Sequence, residues 1–147
     1  MQASLEQLSQ ITVFVGLETA DTLTLQPYTQ VQRYRKGEII LHEGDRLPAK
    51  LYTVISGLIQ VSKTATTGKE TIFRVLAAGE IFAAPALLGN GISPATVTAE
   101  SDCEILTVKR DALLKAIGQN PEIALRMLMV FNITRKSLPS AKQGRDG

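Results

Sequence analysis

From Leu5 the apolar positions recur at helical spacing: Leu5, Leu8 and Ile11 share one face, and Ser4 is placed to cap the helix they define. An apolar hinge follows at Val13-Phe14-Val15-Gly16-Leu17. Thr19 or Asp21 can cap a second short helix through Leu23 and Leu25, which Pro27 ends. From Val31 the period drops to two. Turns at Lys36-Gly37 and Glu43-Gly44-Asp45 bracket Glu38 to His42, and Leu51 to Ser62 reads as one strand bent at Gly57, with Leu51, Ile55, Ile59 and Val61 on one face. Thr66-Thr67-Gly68-Lys69 is a hairpin tip, and Glu70 to Leu76 is its return strand. Beyond Ser93-Pro94-Ala95, the residues Val97, Ala99, Cys103 and Ile105 alternate inward against Thr98, Glu100, Asp102 and Glu104. Short strands punctuated by turns at roughly 8–12-residue spacing predict an all-β barrel or jelly roll.

The period then turns helical again. Asp111 is placed to cap a short helix through Leu113, Leu114 and Ile117, stopped at Gly118. Asn120-Pro121, a capping Asn followed by Pro, starts a longer helix that runs to Leu138, where Pro139 ends it. Apolar residues cover more than one face of that helix, whereas packing on its own barrel needs one stripe. Ile123, Met127, Val130, Thr134 and Leu138, with Phe131 beside them, fit a heptad-like seam for a parallel homodimer.

At 147 residues the chain fits a single folding unit with a real core. It divides into a β-roll with short N-terminal helices over 1–119, a dimerisation helix over 120–138 and a disordered tail over 139–147. A net charge of +2 does not argue for nucleic acid, and the eight Lys/Arg against three Asp/Glu from Ile105 onward read as a solvated face. The single cysteine, Cys103, excludes a disulfide framework and every multi-cysteine metal or iron–sulfur site. No metal site is expected. With one histidine, His42, beside a turn, the several histidines of a cupin metal centre and the nucleophile–base pairs of hydrolases cannot be supplied, so no enzyme activity is expected. No signal peptide or membrane span is legible, which places the protein in the cytoplasm.

The most informative stretch runs from the Gly79-Glu80 turn through the apolar Ile81 to Leu88, a Gly89-Asn90-Gly91 turn and Ser93-Pro94-Ala95. A strand, short helix, turn and strand in that order fold around a small concave pocket, lined by Phe82, Ala83, Ala84, Leu88, Ser93, Pro94 and Ala95. The run Lys36 to Val61, with Gly37, Gly44-Asp45, Tyr52 and Gly57 at family spacing, resembles the entry strands of the cyclic-nucleotide-binding β-roll. Joined to Gly79-Glu80 and the helix from Asn120, it is similar to the sensor half of a Crp/Fnr-type bacterial transcription regulator. The resemblance implies a double-stranded β-helix with flanking helices, followed by a long dimerisation helix.

It also implies where a cyclic nucleotide would be held. Family members that bind one use a Glu for the ribose hydroxyl and an Arg for the cyclic phosphate. Those positions fall here at Ala84 and at Ser93 or Pro94. Burying a phosphodiester anion without a paired cation costs several kcal/mol. Cyclic AMP is therefore not the expected effector; an unidentified, largely uncharged small molecule is. Haem is kept as an alternative, with His42, Met127, Met129 and Cys103 as conceivable ligands, and otherwise no cofactor is expected. The alternative of another class is a cyclic-nucleotide-binding regulatory module that acts on a protein partner. The family's winged helix-turn-helix does not fit in the nine residues after Leu138, so DNA contact is expected only through a downstream domain absent from this chain.

Overall fold

The computed structural model describes residues 1–9, 11, 14, 19–83, 86–87 and 91–137, with the side chains of 19, 20 and 130–137 excepted. Helix α1 (Leu5–Ser9) opens with a reciprocal cap: the Gln7 N–H donates to Ser4 Oγ at 3.0 Å, and the Ser4 N–H donates to Gln7 Oε1 at 2.9 Å. Helix α2 (Thr19–Leu25) runs into a 3₁₀ turn over Gln26–Tyr28, where Pro27 ends the helical period. Eight strands follow: β1 (Thr29–Tyr34), β2 (Ile39–Leu41), β3 (Lys50–Ser56), β4 (Ile59–Thr64), β5 (Glu70–Leu76), β6 (Ile81–Phe82), β7 (Thr96–Ala99) and β8 (Cys103–Lys109). Helices α3 (Arg110–Gln119) and α4 (Glu122–Ser137) close the described chain.

The strands form two four-stranded antiparallel sheets, ordered β1-β8-β3-β6 and β2-β7-β4-β5. This is the jelly roll the turn spacing predicted. Central strand β8 is buried on both faces, so its apolar run is nearly continuous. Leu106 and Val108 face the helices and pack with Leu8, Phe14, Leu25, Leu113 and Ile123, while Cys103 and Ile105 face the second sheet and pack with Ile59, Val97 and Ala99. Each such side chain contributes about 1.5–3 kcal/mol when fully buried, so the first sheet is held by apolar contacts on both sides.

Three expectations change. The stretch Leu51 to Ser62 is two strands in different sheets, separated at Gly57, which adopts φ +80°. Leu51 therefore lies in the helix-side core and Ile59 in the inner one, with Ile55 and Val61 packed beside them respectively. Asp111 does not cap α3. The cap position is Lys109, whose side chain makes no capping bond, and the helix passes through Gly118 to Gln119.

The third change concerns α4. Asn120 does act at its start, its Oδ1 accepting from the Glu122 N–H at 3.2 Å. Ile123 and Met127, however, are 0% and 8% exposed against the chain's own helix-side core, so they cannot line a seam with a second copy. The face left open carries Leu125, Leu128 and Met129, which are 61–65% exposed. Met127 follows Ile123 at helical spacing, and the roll takes that stripe for itself. Val130, Phe131 and Thr134 fall within α4, whereas Leu138 and the expected tail lie outside the described residues.

Candidate functional site

The pocket segment is anchored at both ends by backbone hydrogen bonds to other strands and turns. At its start, Gly79 (φ +92°) donates its N–H to the Val54 carbonyl at 2.8 Å, and the Val54 N–H donates to the Glu80 carbonyl at 3.0 Å. This pins the turn to β3. The Glu80 carboxylate accepts from the Ala77 N–H at 3.0 Å and from Arg74 Nη2 at 3.1 Å, so it ties the turn to the end of β5. At its end, the Gly44 N–H donates to the Ser93 carbonyl and the Ser93 N–H to the Asp45 carbonyl, each at 2.8 Å, while the Leu47 N–H donates to the Gly91 carbonyl. The Gly44-Asp45 turn, with Gly44 at φ +87°, is thus the clamp that holds residues 91–93.

Between these anchors, Phe82 lies in the inner core with its ring 5.4 Å from that of Tyr52. Ala83 packs against the same cluster at φ +56°, a left-handed conformation that an alanine adopts at a cost of about 1–2 kcal/mol. Its carbonyl accepts from the Ala86 N–H at 3.0 Å, which closes a turn. Ser93 is 3% exposed, and its hydroxyl donates to the Ala95 carbonyl at 2.6 Å. Ala95 is buried, whereas Pro94 is exposed and does not line the hollow as expected. Ala84 and Leu88 lie outside the described residues.

One residue of the site was not singled out from the sequence: Arg74. It stands two residues before Leu76 on β5 and pairs across the sheet with Val61, so alternation turns it toward the inner face, and its side chain is 16% exposed. The readable signal was a cation two residues before the inward Leu76. Removing it leaves Glu80 as a partly buried carboxylate without its ion-pair partner, and such losses run to about 3–5 kcal/mol when burial is complete.

Three ionisable groups of the inner core have their neutral forms favoured. Burial pushes the Cys103 thiol up from its usual value, with the negative charges of Asp102 and Glu38 adding to it. Burial likewise raises Tyr34, helped by Cys103 and Glu38, and raises Tyr52, helped by Tyr34. These groups lose a proton first in the unfolded chain, so their contribution to stability is full below the unfolded values, 9.0 for Cys and 10.0 for Tyr, and is lost as pH climbs through the folded ones. Two outcomes are expected: stability declines above pH 9 in denaturant titrations, and at pH 8 the buried Cys103 reacts with a chromogenic disulfide more slowly than in denaturant. A folded chain that labels at the unfolded rate would contradict this geometry.

The residues named for haem do not converge. Cys103 and Met127 lie in cores on opposite faces of the first sheet, while His42 and Met129 are exposed. They do not fit that group. Among the described residues no helix is long and apolar enough to cross a membrane.

The glycine-pinned turns, the two sheets and the short segment between β6 and β7 bear on comparison with known proteins. The family described as cyclic nucleotide-binding domain matches residues 31–120. The chain belongs to that family. Within the cyclic nucleotide-binding domain family it is 32% identical over 112 residues to the cyclic AMP receptor protein of Thermus thermophilus, covering 76% of this chain and 51% of the relative. It is 25% identical over 127 residues to the CRP-like cAMP-activated global transcriptional regulator of Mycobacterium tuberculosis, covering 86% and 56%. The crystal structure of the Thermus thermophilus catabolite activator protein superposes with a TM-score of 0.70 at 30% identity, covering 85% of this chain and 58% of that one. The likeness to a Crp/Fnr-type sensor half is therefore borne out. The chain spans about half the length of the curated relatives it matches.

Proposed function

We propose that this is the effector-sensing and dimerisation domain of a Crp/Fnr-like transcription regulator whose phosphate cassette does not take cyclic AMP. One observation carries this reading. Where the resemblance places the phosphate-pairing Arg, the chain has Ser93 or Pro94: neither is a cation, Ser93 is buried with its hydroxyl committed to the Ala95 carbonyl, and Pro94 is exposed. A phosphodiester there meets no cation from that position, and the nearby Arg74 guanidinium is already paired with Glu80, which favours a largely uncharged effector. Such a molecule acts by its differential affinity for two arrangements of α4, shifting their populations. In this reading the protein is cytoplasmic, uses no cofactor, catalyses no reaction and meets DNA only through a separate domain.

Calorimetry with cyclic AMP and cyclic GMP tests it. No saturable heat is expected at submillimolar nucleotide. Micromolar binding would overturn the cassette argument and favour a cyclic-nucleotide-responsive module acting on a protein partner.

Dimerisation rests on the open face of α4. Two-fold symmetry counts each substitution twice. With about 1.5–3 kcal/mol per buried leucine, Leu128→Glu should weaken a dimer by roughly 100-fold or more. Light scattering should show twice the chain mass for the natural sequence and a monomer for the variant. Met127→Glu is not a clean test, because Met127 belongs to the core. A natural chain that is monomeric at high concentration removes the dimer from the proposal.

A further inference from the structure

A second concavity lies away from the cassette, between α2, the 3₁₀ turn after it and the first turn of α3, with a volume of about 620 Å³. Leu23, Pro27, Tyr28 and Ala112 give it an apolar lining, and Leu23 and Tyr28 stand 50% and 49% exposed, high for side chains of that size. Lys50, Lys109, Arg110 and Lys115 surround this strip, with Asp111 as the one acid of the lining. The groove thus concentrates three net positive charges, more than the +2 of the whole chain. Among the described residues the ion pairs are Arg33–Glu104, Arg74–Glu80 and Arg126–Glu122, so none of the four groove cations is neutralised by a carboxylate. The first turn of α3 borders the same space without a side-chain cap at Lys109, while the Arg110 N–H is taken by the Ala49 carbonyl.

We infer that this groove is a binding site for a small amphipathic acid: one carboxylate or similar anion carried on an apolar chain or ring. Unpaired cations beside exposed apolar surface complement that chemistry from both sides. Long-range attraction supplies the anion's approach, and the leucine–tyrosine strip supplies the grip on its apolar body. The volume falls in the range of about 300–1,000 Å³ typical of small-molecule sites. An uncharged molecule leaves the cations unused, and a simple inorganic anion leaves the apolar strip wet. The site is separate from the cassette and stands whether or not that hollow holds a ligand. It borders α3, which leads through Asn120-Pro121 into α4, so occupancy there can bear on the same helix.

The test is calorimetry on the full chain at low salt, with octanoate, octanol and an acidic peptide as probes. Octanoate is expected to saturate one site per chain at least ten times more tightly than octanol, and more weakly as salt is raised. Lys109→Glu with Arg110→Glu should reduce octanoate affinity at least tenfold while the thermal midpoint stays within a few degrees. Tyr28→Ser should reduce it by a smaller factor, and Ser93→Ala should leave it unchanged. Equal affinity for acid and alcohol, or indifference to the charge reversals, overturns the inference. So does the absence of octanoate binding, and so does tighter binding of the acidic peptide, which reassigns the groove to a protein partner.

Discussion

Placing Glu at Ala84 and Arg at Ser93 together should raise the affinity for cyclic AMP by roughly two to three orders of magnitude over that of the natural chain. The reasoning is electrostatic. A cyclic phosphate entering the hollow exchanges full hydration for whatever the cassette offers, and here the critical position presents a hydroxyl already bonded to the Ala95 carbonyl at 2.6 Å. Supplying a guanidinium restores a bidentate partner for the phosphate, and a carboxylate at 84 restores an acceptor for the ribose hydroxyl. Losing the serine bond costs about 1 kcal/mol, small against a buried ion pair worth about 3–5 kcal/mol when broken. Calorimetry on the natural chain, on Ser93→Arg alone and on the double variant separates the contributions. A folded double variant that still ignores cyclic AMP would show that the hollow differs from a nucleotide site in shape as well as charge.

Gly57→Ala should be more damaging than the same change at Gly37, Gly44 or Gly68, lowering stability by about 3–5 kcal/mol and the thermal midpoint by roughly 10 °C or more. Part of that is conformational, because φ +80° lies where a residue with a β-carbon pays about 1–2 kcal/mol. The rest is collision. A β-carbon on Gly57 would overlap the Asp102 carbonyl and lie 2.7 Å from Cys103 Cβ and 2.8 Å from its Cα. Relief requires shifting the start of β8, which pairs through Cys103 with Tyr34 and packs into the inner core. Gly68→Ala is the control: it has a similar φ of +87° but nothing within 4 Å, so only the conformational part of about 1–2 kcal/mol is expected. Equal losses at the two positions, measured by urea titration, would discredit the close approach at Gly57.

The jelly roll was readable because its turns are written in glycine and its strands in alternation. Gly37, Gly44, Gly57, Gly68 and Gly79 all adopt positive φ. Alternation, however, tells only that a position is inward, not into which of two cores. Leu51, Ile55, Ile59 and Val61 have the same parity, so they read as one face. Yet the chain crosses between sheets at Gly57, and the same parity then means the opposite core. A similar ambiguity misdirected the α4 seam, since apolar residues on more than one face do not say which stripe the parent domain claims. Ile123 and Met127 go inward and Leu125, Leu128 and Met129 stay out. At the candidate site the sequence shows a serine at position 93, and the structure shows that it is buried with its hydroxyl bonded to the Ala95 carbonyl. The role of Arg74 was not legible, because its partner Glu80 lies across a turn whose geometry no spacing rule encodes.

The burial of Ile123 and Met127 also says where α4 can swing. A helix hinged at Asn120-Pro121 would have to pull both side chains out of the core before it turned. Leaving them seated, the fulcrum sits beyond Met127, and the first turn and a half of the helix acts as a fixed post. Any lever arm that carries a signal away from this domain therefore begins near Leu128, and leverage grows only with the length of chain beyond it.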